Sequence, residues 1–459
     1  MTKKLLLGAL MLCLSLAGRA EEPVAQTEAG PVHGQPIGKG ALFRAIPYAM
    51  PPLGALRWKP PEPVAHWTQP REATKAGPTC LQSDFGWNAK EASFGSEDCL
   101  TLDVRTPDIR DDAKLPVMVW LHGGGNRGGS GSGYSVSPIV LHGVVLVTVQ
   151  YRLGIFGFLS HPALTAESPH HASGNYGLLD QIAALRWVQA NIGHFGGDPA
   201  NVTVFGQSAG AEDVGLLMLS PLAKGLFAKA IEESGSPGFG LPPRSLADNE
   251  GLAATIPLDE LRKSPGDKLL ALQARMHPPG LEGDDLLWMP AIIDGWVIPK
   301  APLDLTPAPI PLIIGSNRRE FPLRGSLAET LAKAFGRNAH LLRGAYSSAE
   351  GDDLAADIMF RCPAQVAVRR QTAPAWLYEF SMGPNLGHSS ELPFVFGQGS
   401  VLQNYWVNFA RTGDPNGIGL PAWPRYSSAK AGAYLDFTDQ GPVAKASLRV
   451  AICRLLPSL

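Results

Sequence analysis

Beyond its first twenty residues, this chain has no apolar stretch long enough to span a bilayer without charges or turn residues, so no helical membrane span is expected. It also lacks an excess of charge of either sign. Lys and Arg number 39 against 41 Asp and Glu, a formal net charge of −2, which gives no reason to expect nucleic acid as a partner. Cysteines are few, five in all. No Cys/His metal spacing and no phosphate-binding Gly-x-x-x-x-Gly-Lys occurs, so neither a metal nor a nucleotide cofactor is expected. There is no internal repeat and no long low-complexity segment. The 51 glycines and 41 prolines are spread along the chain, which reads as many loops rather than disorder.

The chain does have enough length and apolar content, 459 residues at 45% hydrophobic, for a large buried core. Its start reads as an export signal over residues 1–20, with the mature domain spanning 21–459. Lys3 and Lys4 are followed by an apolar run from Leu5 to Leu16, and Gly18-Arg19-Ala20 offers a small-residue cleavage site. Cys13 follows Leu12 rather than a small residue, which argues against a lipidated cysteine. An exported, periplasmic or secreted, protein with no membrane span is expected. Removing Cys13 leaves Cys80, Cys99, Cys362 and Cys453, an even count that suggests two disulfides in one of three pairings. Four free buried thiols are the alternative.

The chemistry centres on Gly206-Gln207-Ser208-Ala209-Gly210. The apolar run Val202-Thr203-Val204-Phe205 precedes it and the stretch from Ala211 to Leu219 follows. Strand, tight turn and helix around Gly-x-Ser-x-Gly make a nucleophile elbow, in which a strained serine stands clear at the top of a sheet. The amides opening the following helix face the same spot. A second signal is His122-Gly123-Gly124-Gly125, directly after the buried strand Leu115–Leu121. Glycines there let the backbone approach a substrate and turn N–H groups inward, the second half of an oxyanion hole. Read alone, with Gly128, Gly129, Gly131 and Gly133 following, the run is equally a flexible glycine-rich loop. Beside the elbow, the functional reading prevails.

Around these signals the fold reads as α/β, a large mostly parallel sheet with helices on both faces. The segment 21–70 suggests short antiparallel strands. Val144–Val149 is a near-continuous apolar run, as in a strand covered on both faces. Residues 177–192 carry Leu178, Ile182, Leu185, Val188 and Ile192 at helical spacing. One or two helices are expected between Ser245 and Met276. Further strands are expected at 311–315 and 376–381, with a helix from Leu402 to Arg411 stopped by Thr412-Gly413-Asp414-Pro415-Asn416.

A serine hydroxyl needs a base to take its proton, and the base needs an acid to fix its tautomer. Sheets of this kind bind ligands beyond the carboxyl ends of their strands. Ser208, Glu320 and His388 all lie just past such ends, in the order serine, acid, histidine that α/β-hydrolases use. His170, His171 and His194 precede the serine, the wrong order. Asp294 and Glu379 are the rival acids, but Glu379 lies mid-strand and reads as a surface or paired residue.

These residues together resemble the type B carboxylesterases, the cholinesterase-like branch of the α/β-hydrolases, and in particular bacterial para-nitrobenzyl-esterase-type enzymes. The likeness covers nearly all of the mature chain. It rests on Ile46-Pro47-Tyr48-Ala49 with Pro51-Pro52-Leu53-Gly54, Ser96-Glu97-Asp98-Cys99-Leu100, His122-Gly123-Gly124-Gly125 and the stretch from Asn175 to Gln181. It continues through Phe195-Gly196-Gly197-Asp198-Pro199, the elbow, Ile293-Asp294-Gly295, the stretch from Glu391 to Gly397 and Thr412-Gly413-Asp414-Pro415-Asn416.

The resemblance implies a serine carboxylic ester hydrolase that needs no cofactor and takes a small-molecule ester. Ser208 matches the nucleophile, His388 the base and Glu320 the acid. Gly124, Gly125 and Ala209 match the oxyanion-hole amides. It implies the pairings Cys80–Cys99, whose closure would contribute roughly 3 kcal/mol in the chain-entropy model, and Cys362–Cys453. Arg57 with Glu97 and Arg152 with Asp180 match structural ion pairs. By position, Leu286 and Trp288 would line the acyl side of the pocket and Trp87 the alcohol side, with plain core packing as the alternative for each.

Four features depart from the family's usual pattern. Asn126 stands where an aromatic is usual, so a more polar wall is expected beside the oxyanion hole. Asp213 replaces a small hydroxyl residue. The acid position reads Arg319-Glu320-Phe321 rather than Asp-Glu-Gly. The 68 residues from Glu320 to His388 are fewer than in larger relatives, which predicts a reduced helical cover and a shallow gorge. An amide or carbamate hydrolase with the same triad is an alternative, since all pass through a tetrahedral oxyanion. A non-catalytic, adhesion-type relative is a further one, opposed by the complete triad.

Overall fold

A computed structural model describes residues 22–237, 244–276, 291–322, 327–342, 346, 351–397, 399–427 and 432–455. Its centre is an eleven-stranded sheet. In chain order the strands are β1 (Gln35–Ile37), β2 (Gly40–Pro47), β3 (Thr101–Thr106), β4 (Leu115–Leu121), β5 (Val145–Val149), β6 (Gly197–Gln207), β7 (Lys229–Glu233), β8 (Leu312–Asn317), β9 (Ala375–Phe380), β10 (Ala433–Thr438) and β11 (Gly441–Ala446). In space they run β11-β10-β9-β8-β7-β6-β4-β5-β3-β2-β1. From β5 through to β10 every neighbouring pair is parallel. The two edges are antiparallel. This is the mostly parallel α/β architecture that the alternation of apolar strands and helical stretches predicts.

The period of two along each strand sorts the core into two layers. Val117, Val119 and Leu121 of β4 face one cluster with Val202 and Val204 of β6, while Met118, Trp120 and Phe205 face the other. The first layer is covered by α1 (Tyr176–Asn191), α2 (Ala209–Leu219) and α3 (Cys362–Arg370), and the second by α4 (Val401–Thr412). The first and fourth of these helices fall within one residue of their sequence readings. α1 is buried on nearly every side, as a helix between sheet and outer elements must be.

Several elements escape the sequence reading. β7 carries no strand signal in the sequence, where Lys229, Glu232 and Glu233 look like surface residues, yet the strand is buried throughout. The β10–β11 hairpin and helices over Leu327–Phe335 and Gly351–Ala356 were not anticipated either. The region 245–276 folds as three short helices rather than one or two.

Two disulfides tie outlying segments down, Cys80 to Cys99 and Cys362 to Cys453. The Arg57–Glu97 and Arg152–Asp180 pairs close at 2.5 and 2.7 Å, with the second fully buried. Arg57 also donates to the carbonyls of Leu261, Arg262 and Ser264, so through Glu97 it staples the loop closed by the first disulfide to the short helices beyond 245. Among the described residues no helix is long and apolar enough to cross a membrane.

Candidate active site

Ser208 stands between β6 and α2 with φ 58° and ψ −129°. L side chains rarely hold this conformation, and sites that hold it are over-determined by their surroundings. Two glycines permit it. A Cβ on Gly206 would lie 2.5 Å from the backbone of Gly210, and one on Gly210 would lie 2.1 Å from the Leu121 carbonyl oxygen. The elbow therefore needs glycine at both flanks. It is held from the next strand too, because the Ser208 N–H donates to the Glu233 carbonyl at 2.8 Å.

The loop after β4 lies against the elbow. Gly124 and Gly125 have φ of 115° and 64°, and Asn126 follows at 54°. A Cβ on Gly124 would sit 2.2 Å from the Gly128 carbonyl oxygen. Among the described residues the N–H groups of Gly124 and Gly125 have no acceptor. The Ala209 N–H is the first of α2 and has no intrahelical partner by geometry. The loop is fastened from outside by Gln82, whose amide accepts from the Gly129 N–H at 2.7 Å and donates to its carbonyl at 2.9 Å. Beneath it His122 is buried, stacked 4.5 Å from Tyr151, and burial pulls its imidazole down to about 4.

The acid and the histidine come from the loops after β8 and β9. His388 Nδ1 lies 2.6 Å from Glu320 Oε2. The other carboxylate oxygen accepts the Asn317 N–H at 2.8 Å, and the His388 N–H donates to the Glu320 carbonyl at 3.0 Å. Phe321 and Phe360 flank the imidazole at 4.2 and 5.3 Å. His388 Nε2 is 3.2 Å from Gln207 Nε2. No hydrogen bond joins His388 to Ser208, so the structure pairs acid with histidine and places the histidine against the residue preceding the serine.

The rival acids fall away on geometry. Asp294 accepts the N–H groups of Trp296 and Ile298 and so closes a turn. Glu379 pairs with Arg361 at 2.9 Å. Arg361 is a buried hub that also binds Asp357 at 2.7 Å and donates to the Arg318 carbonyl beside the acid. It directly follows Phe360, in a π-helical turn over Asp357–Arg361. This hub was missed by sequence reading, and nothing local to Arg361 announces it.

A second buried acid, Glu391, lies beside the Glu320–His388 pair and accepts from Asn317 Nδ2 at 2.6 Å. Burial and the neighbouring Glu320 carboxylate push its carboxyl up to about 7.

The pocket expectations fare unevenly. Trp87 is 59% exposed, and its ring edge reaches the glycine loop, 3.0 Å from where a Cβ on Gly124 or Gly128 would sit. Leu286 and Trp288 lie outside the described residues. Asn126 does not form the polar wall expected of it. It is 1% exposed, and its amide turns inward to donate to Asp213 Oδ1 at 3.0 Å. The two departures at 126 and 213 are thus one contact, a signal that considering them together in the sequence could have raised.

The model of the carboxylesterase family matches residues 21–335 and 326–455. Carboxylesterase 1D of Rattus norvegicus is 34% identical over 91% of this chain and 90% of its own. Fumonisin B1 esterase of Sphingopyxis macrogoltabida is 34% identical over 93% and 89%. Among solved structures, a PNB esterase superposes with a TM-score of 0.83 at 31% identity, covering 95% of this chain and all of that one. Carboxylesterase EST55 of Geobacillus stearothermophilus gives 0.82 at 29% identity with the same coverage. The alignment to the rat protein runs over 520 positions, more than the 459 residues of this chain, so that relative carries insertions with no counterpart here.

Proposed function

Because this chain belongs to the carboxylesterase family and hydrolyses carboxylic esters, we propose that Ser208, His388 and Glu320 form its catalytic triad. Gly124, Gly125 and Ala209 supply the oxyanion hole. The observation that carries this is the 2.6 Å contact from Glu320 to His388 Nδ1, which leaves Nε2 turned toward the elbow. Glu320 fixes the tautomer, so Nε2 bears the lone pair that a general base needs. In the resting arrangement the Gln207 amide occupies that lone pair. A small swing of the ring, of the kind that tightens catalytic contacts when substrate binds, would bring it to the serine.

In the first half-reaction Ser208 Oγ bonds to the ester carbonyl carbon while Nε2 takes its proton. The carbonyl electron pair moves onto oxygen and is held by the three amides. One such donor is typically worth about 3–4 kcal/mol in the transition state. The intermediate collapses, the alcohol leaves with the proton from Nε2, and Ser208 is acylated. Water then repeats the sequence and releases the acid. Trp87, at the mouth of the glycine loop, is the candidate wall on the alcohol side, and Leu286 and Trp288 remain the candidates on the acyl side. The short span of 68 residues from Glu320 to His388 is the feature that favours a reduced helical cover and a shallow gorge.

Amide and carbamate hydrolysis share this chemistry, and a panel of matched ester, amide and carbamate substrates separates them. The expected outcome is ester turnover that falls to background in Ser208→Ala while the fold is retained. Hydrolysis persisting in that variant would remove the serine from the mechanism. Export after cleavage near Ala20 is part of the reading, in keeping with the two disulfides. N-terminal sequencing of the mature protein should begin just after that position.

A further inference from the structure

The oxyanion hole is assembled from two separate pieces of chain, and their relative position must be set to a fraction of an ångström. Donors work only within about 2.7–3.1 Å of the oxygen they stabilise. One piece is the loop carrying Gly124 and Gly125, and the other is the first turn of α2 carrying Ala209.

Asp213 lies four residues after Ala209, on the same face of α2 one turn further in. Its carboxyl is completely buried. One oxygen accepts from Asn126 Nδ2 at 3.0 Å, and the other from Gln181 Nε2 of α1 at 2.6 Å. Asn126 directly follows Gly125, holds a left-handed φ of 54°, and accepts the Gly154 N–H on its own carbonyl at 2.6 Å. Both amides present their N–H groups to Asp213 and leave Asn126 Oδ1 and Gln181 Oε1 without a partner among the described residues. The carboxyl therefore dictates how both amides point. Both residues of the Asn126–Asp213 contact depart from the type of residue expected at their positions, and each replaces it with a group that serves the other.

We propose that the Asn126–Asp213 hydrogen bond is a clamp that sets the glycine loop against the first turn of α2, making Asn126 and Asp213 positioning residues for the two-part oxyanion hole. The inference rests on the reading of Gly124, Gly125 and Ala209 as that hole. Neither side chain touches substrate. A clamp of this kind acts on the transition state more than on binding, because the oxygen acquires its charge only as the bond to Ser208 forms.

The test is a double-mutant cycle on the full mature chain with Asn126→Ala, Asp213→Ala and the pair, reading kcat and KM on a short aryl ester. Amide hydrogen exchange of residues 122–128 is followed in the same samples. Each single variant should lower kcat by about 10- to 100-fold with KM little changed. The double variant should be no worse than the poorer single, since one contact cannot be lost twice. Exchange in the loop should rise in both singles. Asp213→Asn keeps one acceptor oxygen for Asn126, should fold even if Asp213→Ala fails to, and should retain most of kcat. Effects that multiply in the double variant, a change confined to KM, or loop exchange unchanged in both singles would overturn the clamp. Wild-type turnover lost in Ser208→Ala establishes the underlying reading separately, and the exchange measurement judges the clamp even without turnover.

Discussion

The serine side of the site and the histidine side are built from different materials. Around Ser208 the geometry is set by backbone. Glycines at 206, 210 and 124 sit where a Cβ would lie 2.1–2.5 Å from another main chain, and the elbow amide is tied to β7. Around His388 the geometry is set by side chains. Glu320 holds one ring nitrogen, Phe321 and Phe360 flank the ring, and Arg361 links β9, Asp357 and the Arg318 carbonyl behind them. A backbone-built half is rigid and tolerates no substitution at its close approaches. A side-chain-built half can adjust, which suits the proposed swing of His388 from Gln207 to the serine.

The largest effect should come from the reacting groups themselves. Ser208→Ala and His388→Ala should each cost on the order of 10⁶-fold in kcat, and the pair no more, because they act as a unit. Steady-state kinetics on the three variants checks this, with melting temperatures expected to stay close to wild type. Glu320→Gln should cost less, roughly 10⁴-fold, by releasing the wrong tautomer.

The comparison sharpens when the supports are broken instead. Gly210→Ala should remove most soluble folded protein, since the clash is with the main chain of Leu121 and His122 and cannot be relieved by a rotamer. Arg361→Met should leave the fold intact but less stable by about 3–5 kcal/mol, because Asp357 and Glu379 lose their buried partner. Soluble yield of the Gly210 variant and urea unfolding of the Arg361 variant separate the halves. An Arg361 variant as stable as wild type would mean that the hub is not what holds the histidine side.

The smallest effect is on pH. Burial lifts the Asp213 carboxyl to about 7. Around it lie Glu212 and Tyr151, whose own groups are pushed up by burial first and by the Asp213 charge second, and the neutral amides of Asn126 and Gln181. The folded chain thus keeps a proton that an unfolded aspartate releases near 3.9. Its stabilising contribution is complete below that value and is lost as pH rises through about 7. Glu391, also lifted to about 7, acts in the same direction. Denaturation midpoints should fall between pH 5 and 7.5, and Asp213→Asn should flatten part of that slope.

The same contrast explains what was legible in the sequence. Gly206-Gln207-Ser208-Ala209-Gly210 and His122-Gly123-Gly124-Gly125 announce themselves because steric demands on glycine are local and leave a short pattern. Glu320 and His388 are visible only through chain order and resemblance, since the contact that pairs them spans 68 residues. Phe360 and Arg361 leave no pattern at all, as an ion hub is made by the fold. β7 is hidden because only the fold buries its charged residues, and burial pushes the Glu232 and Glu233 carboxyls well up from their ordinary value. The Glu233 side chain takes the indole N–H of Trp406 at 2.7 Å. Asn126 was read as pocket wall because a sequence does not say which way a side chain turns.

The central claim is that Ser208 is the activated nucleophile. It is tested most directly by treating the folded mature protein with a fluorophosphonate and locating the adduct by peptide mass spectrometry. The expected result is one phosphonyl group per chain, on Ser208, with esterase activity lost in step and labelling abolished in His388→Ala. A label elsewhere with activity lost, or full activity in a protein fully labelled at Ser208, would contradict it.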